Sequence, residues 1–291
     1  MKVSLFLMTE KGYMVLSSLL NTNKGTFINY VVIGRDNNLD NDYSNEIEEL
    51  CVKHSLNYTY RTSNIVYQKS DYYLSISWRW LLNVENLIVL HDSILPKYRG
   101  FAPLVNALIN GEKEVGVTAI FASKEYDKGN VILQKKTPIY YPIKINSVIT
   151  KVGKIYSEIV LELFDLIALG KNITSSIQNE DEATYSLWLD EDDYFINWSE
   201  NSDKIMRKVD ACGSPYSGAK ATLLGKTIII KNVELIPDLV IENRAVGKLI
   251  FYQNEFPVIV CGKGLIKIKE CIYADTLQSV FPLKKFRLRF S

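Results

Sequence analysis

Three apolar runs that do not alternate constrain this chain most: VSLFL at Val3, INYVVIG at Ile28 and LIVLH at Leu87. A strand with one wet face alternates apolar and polar residues. A strand buried on both faces does not, and such strands belong to parallel sheets covered by helices. The stretches between the runs carry helical spacing. Tyr13 to Leu20 is one predicted helix. A second, capped by Asn41 or Ser44, places Ile47, Leu50 and Cys51 on one face. Further strands are expected at Tyr58–Arg61, Tyr72–Ser77, Val115–Phe121 and Val131–Thr137. Pro103 opens a helix that Gly111 closes. A long helix beginning near Ser147 has the stripe Ile149, Val152, Ile155, Ile159, Leu163 and Leu166, and Gly170 stops it. Strands that take turns with helices imply an α/β, Rossmann-like domain with a mostly parallel sheet.

The pattern then changes. Lys171 to Ala183 is polar and aperiodic, which suits an interdomain connection. After Asp192, Ser199 is positioned to cap a helix running to Cys212. Short runs follow: TIII, VGKLIFY, FPVIVC and LIKIKE. These suggest a small β-rich, barrel-like domain. The expected division is residues 1–190 and 193–291. The tail KKFRLRF, with four cations, reads as a solvated end rather than a ligand contact.

Several functions are disfavoured at once. Lys and Arg number 34 against 33 acidic residues, so the surplus expected of a strongly basic nucleic-acid binder is missing. Cysteines at 51, 212, 261 and 271 form no C-x-x-C pair, and suit reduced thiols in a cytoplasmic protein. The start resembles a buried strand more than a signal peptide, and no apolar run reaches the roughly 18 residues of a membrane span. There is no G-x-G-x-x-G, P-loop, G-x-S-x-G or H-E-x-x-H, and no metal site is expected.

Only two histidines exist, so a histidine-dependent reaction must use His54 or His91. His54 sits at a helix end, where the dipole alone accounts for it. His91 ends the buried run LIVLH, at the edge where open α/β sheets bind ligands. The loop after it is stiffened by Pro96, Gly100 and Pro103 and carries Lys97 and Arg99. A second loop, SKEYDKGNVI, follows the strand GVTAIF, also at a carboxyl end. It holds Asp127 beside Gly129, which permits a tight turn. If Asp127 reaches His91, it orients and tunes the imidazole.

These pieces together resemble the folate-dependent formyltransferase family. The family pattern H-x-S-L-L-P-x-[YFW]-R-G-x-A-P, then I-N-G, G-V-T and D-x-G, stands here as His91 to Pro103, Ile109 to Gly111, Gly116 to Thr118, and Asp127 with Gly129. INWS at Ile196 to Ser199 and the P-x-x-G turn at Pro215 to Gly218 resemble the entry to the family's C-terminal barrel. Before Tyr72 the likeness is one of pattern only. The resemblance implies transfer of a formyl group from 10-formyl-tetrahydrofolate to a primary amine. It implies His91 as the acid/base group and Asp127 as the carboxylate that tunes it. It places the folate against Trp80, Leu81 and Leu82 on one side. On the other lies the loop Ser123, Lys124, Glu125, Tyr126 and Asp127.

The chain departs from the family at one point that matters chemically. The family's N-x-H asparagine, an oxyanion donor, is Val89 here. Removing one such donor in acyl transfer costs about 2.7–4 kcal/mol of barrier. A substitute donor, slow turnover, or binding of folate and substrate without efficient chemistry would each follow. The near-neutral charge and the short link between first strand and first helix are unlike the tRNA enzymes of the family. The C-terminal domain is unlike the purine-biosynthesis enzymes. The wording from Lys97 to Asn130 is closest to the nucleotide-sugar N-formyltransferases of surface-glycan building. Their acceptor is an amino-deoxysugar on UDP or dTDP. Lys97 and Arg99 could then meet a diphosphate and Tyr98 could stack on the base. A methionyl-tRNA formyltransferase and a catalytically weakened binding relative are the alternatives. No membrane partner is expected, and a homodimer is left open.

Overall fold

The structure, a computed structural model, describes residues 1–62, 67–170, 173–283 and 285–291. The expected linker start at Lys171 and Asn172, and Lys284 of the basic tail, lie outside the described residues.

The chain divides into two compact units. The first holds Met1–Leu104, Lys113–Ile139 and Ser147–Leu187; the second holds Val105–Glu112, Tyr140–Asn146 and Trp188–Ser291. Two short inner stretches therefore pack with the C-terminal part. No division of the chain at a single point would place them there.

In the first unit the strands are β1 (Val3–Leu7), β2 (Ile28–Ile33), β3 (Tyr58–Tyr60), β4 (Tyr72–Ile76) and β5 (Leu87–His91). After them come the two-residue β6 (Arg99–Gly100), then β7 (Glu114–Phe121), β8 (Val131–Pro138) and the two-residue β9 (Tyr185–Ser186). Seven strands form one sheet in the order β3-β2-β1-β4-β5-β7-β8, while β6 and β9 pair separately. All pairings from β3 to β5 are parallel. The α/β expectation holds, and burial explains why: all five residues of β1 are buried, as the unbroken apolar run demanded. Helices α1 (Thr9–Leu20), α2 (Ser44–Lys53), α3 (Pro103–Asn110) and α4 (Ile145–Ala168) connect the strands. α1 begins four residues before the first expected apolar position. The predicted stripe of α4 is buried at Ile149, Val152, Ile155, Ile159 and Leu163, with Tyr156 and Phe164 beside it. Each such large apolar side chain contributes roughly 1.5–3 kcal/mol on burial.

One expectation about the sheet is corrected. β7 runs antiparallel to β5, with Thr118 opposite His91 and Phe121 opposite Ile88. Its carboxyl end therefore lies at the amino end of β5, away from His91. Strand periodicity carries no information on direction, so this could not be read from GVTAIF alone.

The second unit contains α5 (Ser202–Ala211), β10 (Ala219–Leu223), β11 (Lys226–Ile236), β12 (Leu249–Gln253), β13 (Phe256–Val260) and β14 (Leu265–Tyr273). α5 starts three residues after the expected cap Ser199, whose hydroxyl instead donates to Asn197. The five strands form an antiparallel sheet in the order β10-β11-β14-β13-β12. The tail is not a solvated end. Ser291 exchanges backbone hydrogen bonds with Thr222 of β10, and Leu249 of β12 donates to Leu288. The last residues thus bridge the two outer strands and close the sheet into a barrel. Leu288 and Phe290 point inward, at 4% and 1% exposure, whereas Arg287 and Arg289 are exposed. Gly247 (φ +74°) makes the closure possible: a Cβ there would come within 2.1 Å of the Phe290 carbonyl oxygen. Among the described residues no helix is long and apolar enough to cross a membrane.

Candidate active site

β5 delivers His91 to the carboxyl edge of the parallel strands, where it is 7% exposed. The loop that follows is framed from below by Thr118 of β7. Its hydroxyl donates to the Ser93 carbonyl (2.7 Å) and accepts from the Leu95 amide (3.1 Å) and from Gln134 (2.9 Å). Ser93 in turn donates to the Lys97 carbonyl at 2.6 Å. This is the local reason for a serine two places after the histidine and for a threonine in GVT. The frame holds Tyr98 at φ +58°, an uncommon backbone state for a non-glycine residue. Its carbonyl oxygen lies 2.8 Å from His91 Nε2. A carbonyl only accepts, so Nε2 carries the proton in this contact and Nδ1 is the nitrogen left facing outward.

Nδ1 faces Asp127. Its distance to Asp127 Oδ1 is 3.5 Å, and Oδ2 accepts from the Gly100 amide at 2.8 Å. Because β7 ends at the far edge, the loop Ser123 to Asn130 must fold back across the sheet to bring this carboxylate here. Gly129 allows the fold: a Cβ there would lie 1.6 Å from the Phe121 carbonyl oxygen. Asp127 itself has φ +55°. Gln178 pins the returning loop, donating to the carbonyls of Asp127 (2.6 Å) and Gly129 (2.8 Å).

Arg99 holds Gln178. Its Nε and Nη2 donate to Gln178 Oε1 at 3.1 and 2.9 Å, and its Nη1 and Nη2 grip both oxygens of Glu180 at 2.8 and 2.7 Å. Arg99 is 1% exposed. The expected role as a diphosphate contact is therefore corrected. The guanidinium is a framework group whose fork is taken by partners about 80 residues away. Lys97 is exposed and Tyr98 is half-buried.

The other expected site residues fall in two groups. Trp80 is half-buried, with the Arg61 guanidinium 3.9 Å from its ring centre and Trp78 packed edge-on at 5.1 Å. Leu82 packs with Val89 against the core of Phe6, Val32, Tyr73 and Leu87. Leu81 is 78% exposed. In the returning loop, Ser123 donates to the Glu125 carbonyl, Glu125 pairs with Lys128 (2.6 Å), and Lys124 is exposed. Tyr126 is exposed, with its ring 6.4 Å from that of Phe101. His54 stays at the end of α2, outside the site. Sequence reasoning missed Gln178 and the Tyr98 carbonyl. Gln178 lies in an aperiodic stretch and acts through an amide that no motif marks, and a backbone oxygen leaves no trace in residue type. Among the described residues no group of three His, Cys, Asp or Glu could hold a metal ion.

Residues 71–162 match the model of the formyl transferase family, and residues 189–276 match that of the formyl transferase C-terminal domain. The chain belongs to the folate-dependent formyltransferase family. Members of this family are folate-dependent formyl-transferring enzymes. One formyltransferase relative is the methionyl-tRNA formyltransferase of Lactococcus lactis subsp. lactis, 31% identical over 189 residues. That alignment covers 65% of this chain and 58% of the relative, so the chain spans less than two thirds of its length. Two solved formyltransferases share the fold. An N-formyltransferase from Helicobacter canadensis, in complex with folinic acid and dTDP-3-aminofucose, is 17% identical with a TM-score of 0.68. It covers 96% of this chain and 99% of its own. A sugar 3N-formyl transferase solved with dTDP and 5-N-formyl-THF is 18% identical with a TM-score of 0.66. It covers 97% of this chain and 99% of its own.

Proposed function

We propose that this chain transfers a formyl group from 10-formyl-tetrahydrofolate to the primary amine of a UDP- or dTDP-linked amino sugar, with His91 as acid/base group and Asp127 as its tuning carboxylate. The observation that carries the chemistry is the placing of His91 between the Tyr98 carbonyl and Asp127. The amine attacks the formyl carbon, a new C–N bond forms, and the formyl oxygen becomes an oxyanion. The attacking nitrogen then loses a proton and folate N10 must gain one as its bond to carbon breaks. With Nε2 held by Tyr98, Nδ1 is the ring nitrogen that exchanges the proton, and the Asp127 carboxylate 3.5 Å away faces it when that proton is taken up.

Trp80, Leu81 and Leu82 on one side, and Ser123 to Asp127 on the other, are assigned to the folate. The half-buried Trp80 ring offers an apolar wall for a flat pterin. Exposed Lys97 is the cation assigned to the diphosphate, and Tyr98 is the aromatic face for the base. The sugar acceptor is supported by the two solved neighbours that match nearly the whole length of both chains. A methionyl-tRNA acceptor is the second reading, supported by the 31% identical relative. Incubation with 10-formyl-tetrahydrofolate and a panel of UDP- and dTDP-amino sugars, beside methionyl-tRNA, separates them by mass spectrometry. A formylated sugar is expected. Formylated methionyl-tRNA alone would favour the second reading, and no product with bound folate would favour a weakened binding relative.

Val89 bears on the rate. Its half-buried side chain packs against the apolar cluster of Phe6, Val32, Tyr73 and Leu87, so the place of the family asparagine is apolar. Val89→Asn is expected to lower turnover and leave folate affinity unchanged, because it inserts a polar amide into an apolar patch at a cost of roughly 1–3 kcal/mol. Turnover at saturating folate and acceptor measures this. A clear rate increase would show instead that the parent lacks a donor there.

A further inference from the structure

A second set of polar groups meets the chain on either side of His91, and the proposed reaction does not use it. Lys11, in the first turn of α1, forms an ion pair with Asp92 Oδ2. Tyr156, in the middle of α4, donates to Asp92 Oδ1 at 2.5 Å and lies 3.1 Å from the Leu90 carbonyl oxygen. The Lys11 ammonium also sits 5.6 Å from the Tyr156 ring centre. Lys11 is 7% and Tyr156 1% exposed. Leu90 and Asp92 are the residues immediately before and after His91. Two helices far apart in sequence, α1 and α4, therefore converge on the two residues that flank the imidazole.

Stability alone is a poor reason for such a group. Buried ion pairs are costly to desolvate, and an apolar replacement of similar volume often does as well. What a fully hydrogen-bonded network offers over apolar packing is one fixed arrangement. We propose that Lys11, Asp92 and Tyr156 are positioning residues for His91, a clamp that fixes the backbone from which the imidazole reaches Tyr98 and Asp127. The catalytic meaning of the clamp rests on the reading of His91 given above. The electrostatics agree with the geometry. Burial pushes the Asp92 carboxyl up, but the Lys11 charge and the hydrogen bonds from Lys11 and Tyr156 outweigh it and hold the group below its ordinary value. Burial, and then the Asp92 charge, raise the Tyr156 phenol well above its ordinary value, so it stays a donor.

The two-histidine composition makes the test direct, since His54 is an internal reference at the distant end of α2. The imidazole carbon-bound proton signals of the full chain are recorded by NMR for wild type, Tyr156→Phe, Lys11→Met and Lys11→Arg. In Tyr156→Phe and Lys11→Met the His91 signal should move or broaden while that of His54 stays in place. Lys11→Arg, which retains the charge, should move His91 less than Lys11→Met does. A His91 signal at its wild-type position in folded Tyr156→Phe would overturn the clamp. If Tyr156→Phe does not fold, the same result in both Lys11 variants would overturn it. Adding 5-formyl-tetrahydrofolate to wild type tests the underlying reading separately, because it should move His91 and not His54. If it moves neither, the reading of the site falls, and the clamp loses its catalytic meaning even where the variants shift His91. With an acceptor identified, Tyr156→Phe should lower kcat at least about tenfold with the folate KM within about twofold, as expected for a misplaced but intact acid/base group. A merely structural role would lower the melting temperature and leave kcat and the His91 signal unmoved.

Discussion

Replacing His91 by asparagine should lower formyl-transfer turnover by at least about a hundredfold and leave the fold intact. Asparagine is the informative choice. Its amide takes the place of the Nδ1 side of the ring and keeps a polar group facing Asp127, while the Tyr98 carbonyl, which only Nε2 of the ring reaches, loses that donor. The amide cannot take up and return a proton, so the step between the attacking amine and folate N10 loses its carrier. Positioned proton transfer contributes typically about 10²–10⁴-fold, which sets the expected range. Circular dichroism and a melting curve check the fold, and single-turnover rates at saturating substrate check the chemistry. Near-normal turnover in a folded His91→Asn would remove His91 from the mechanism. There is no spare histidine to take over, because His54 lies outside the site.

How much of this was legible in the sequence differs residue by residue. The position of His91 was, since LIVLH suits a doubly covered strand and the residue that ends such a strand lies at the edge where open α/β sheets bind ligands. Asp127 was legible for a different reason than strand order. The strand before it runs the opposite way to β5, so its carboxyl end alone would have put the carboxylate at the wrong edge. The Asp-x-Gly spacing marked the residue, and the return of its loop depends on Gly129 and on Gln178, about fifty residues later. Arg99 shows the limit of reading charge from type. A cation in a loop beside a binding edge suggests a phosphate, but its partners Gln178 and Glu180 come from a stretch with no period to announce it. Lys11 and Tyr156 were invisible as a pair because each looks ordinary on its own helix. Only the fold brings them to the two neighbours of His91.

The tail was misread because its charges were weighed before its period. F-R-L-R-F alternates, and alternation is the mark of a strand with one buried face. Phe290 is 1% exposed and packs edge-on against Trp198, with ring centres 5.9 Å apart. Its amide donates to the Gly247 carbonyl at 2.8 Å, next to the β12 edge that the tail completes. Phe290→Ala should therefore cost about 3–5 kcal/mol in the second unit, the loss expected when a large core aromatic is removed and its cavity cannot collapse. Arg289→Ala, one residue away on the wet face, should change stability by no more than about 0.5 kcal/mol. Urea unfolding of the whole chain compares the two, with tryptophan fluorescence reporting in part from Trp198 beside the mutated site. A lower midpoint for Phe290→Ala with Arg289→Ala at the wild-type value fits a barrel held shut by its last strand. Equal midpoints for all three chains would mean that the tail lies on the barrel without closing it.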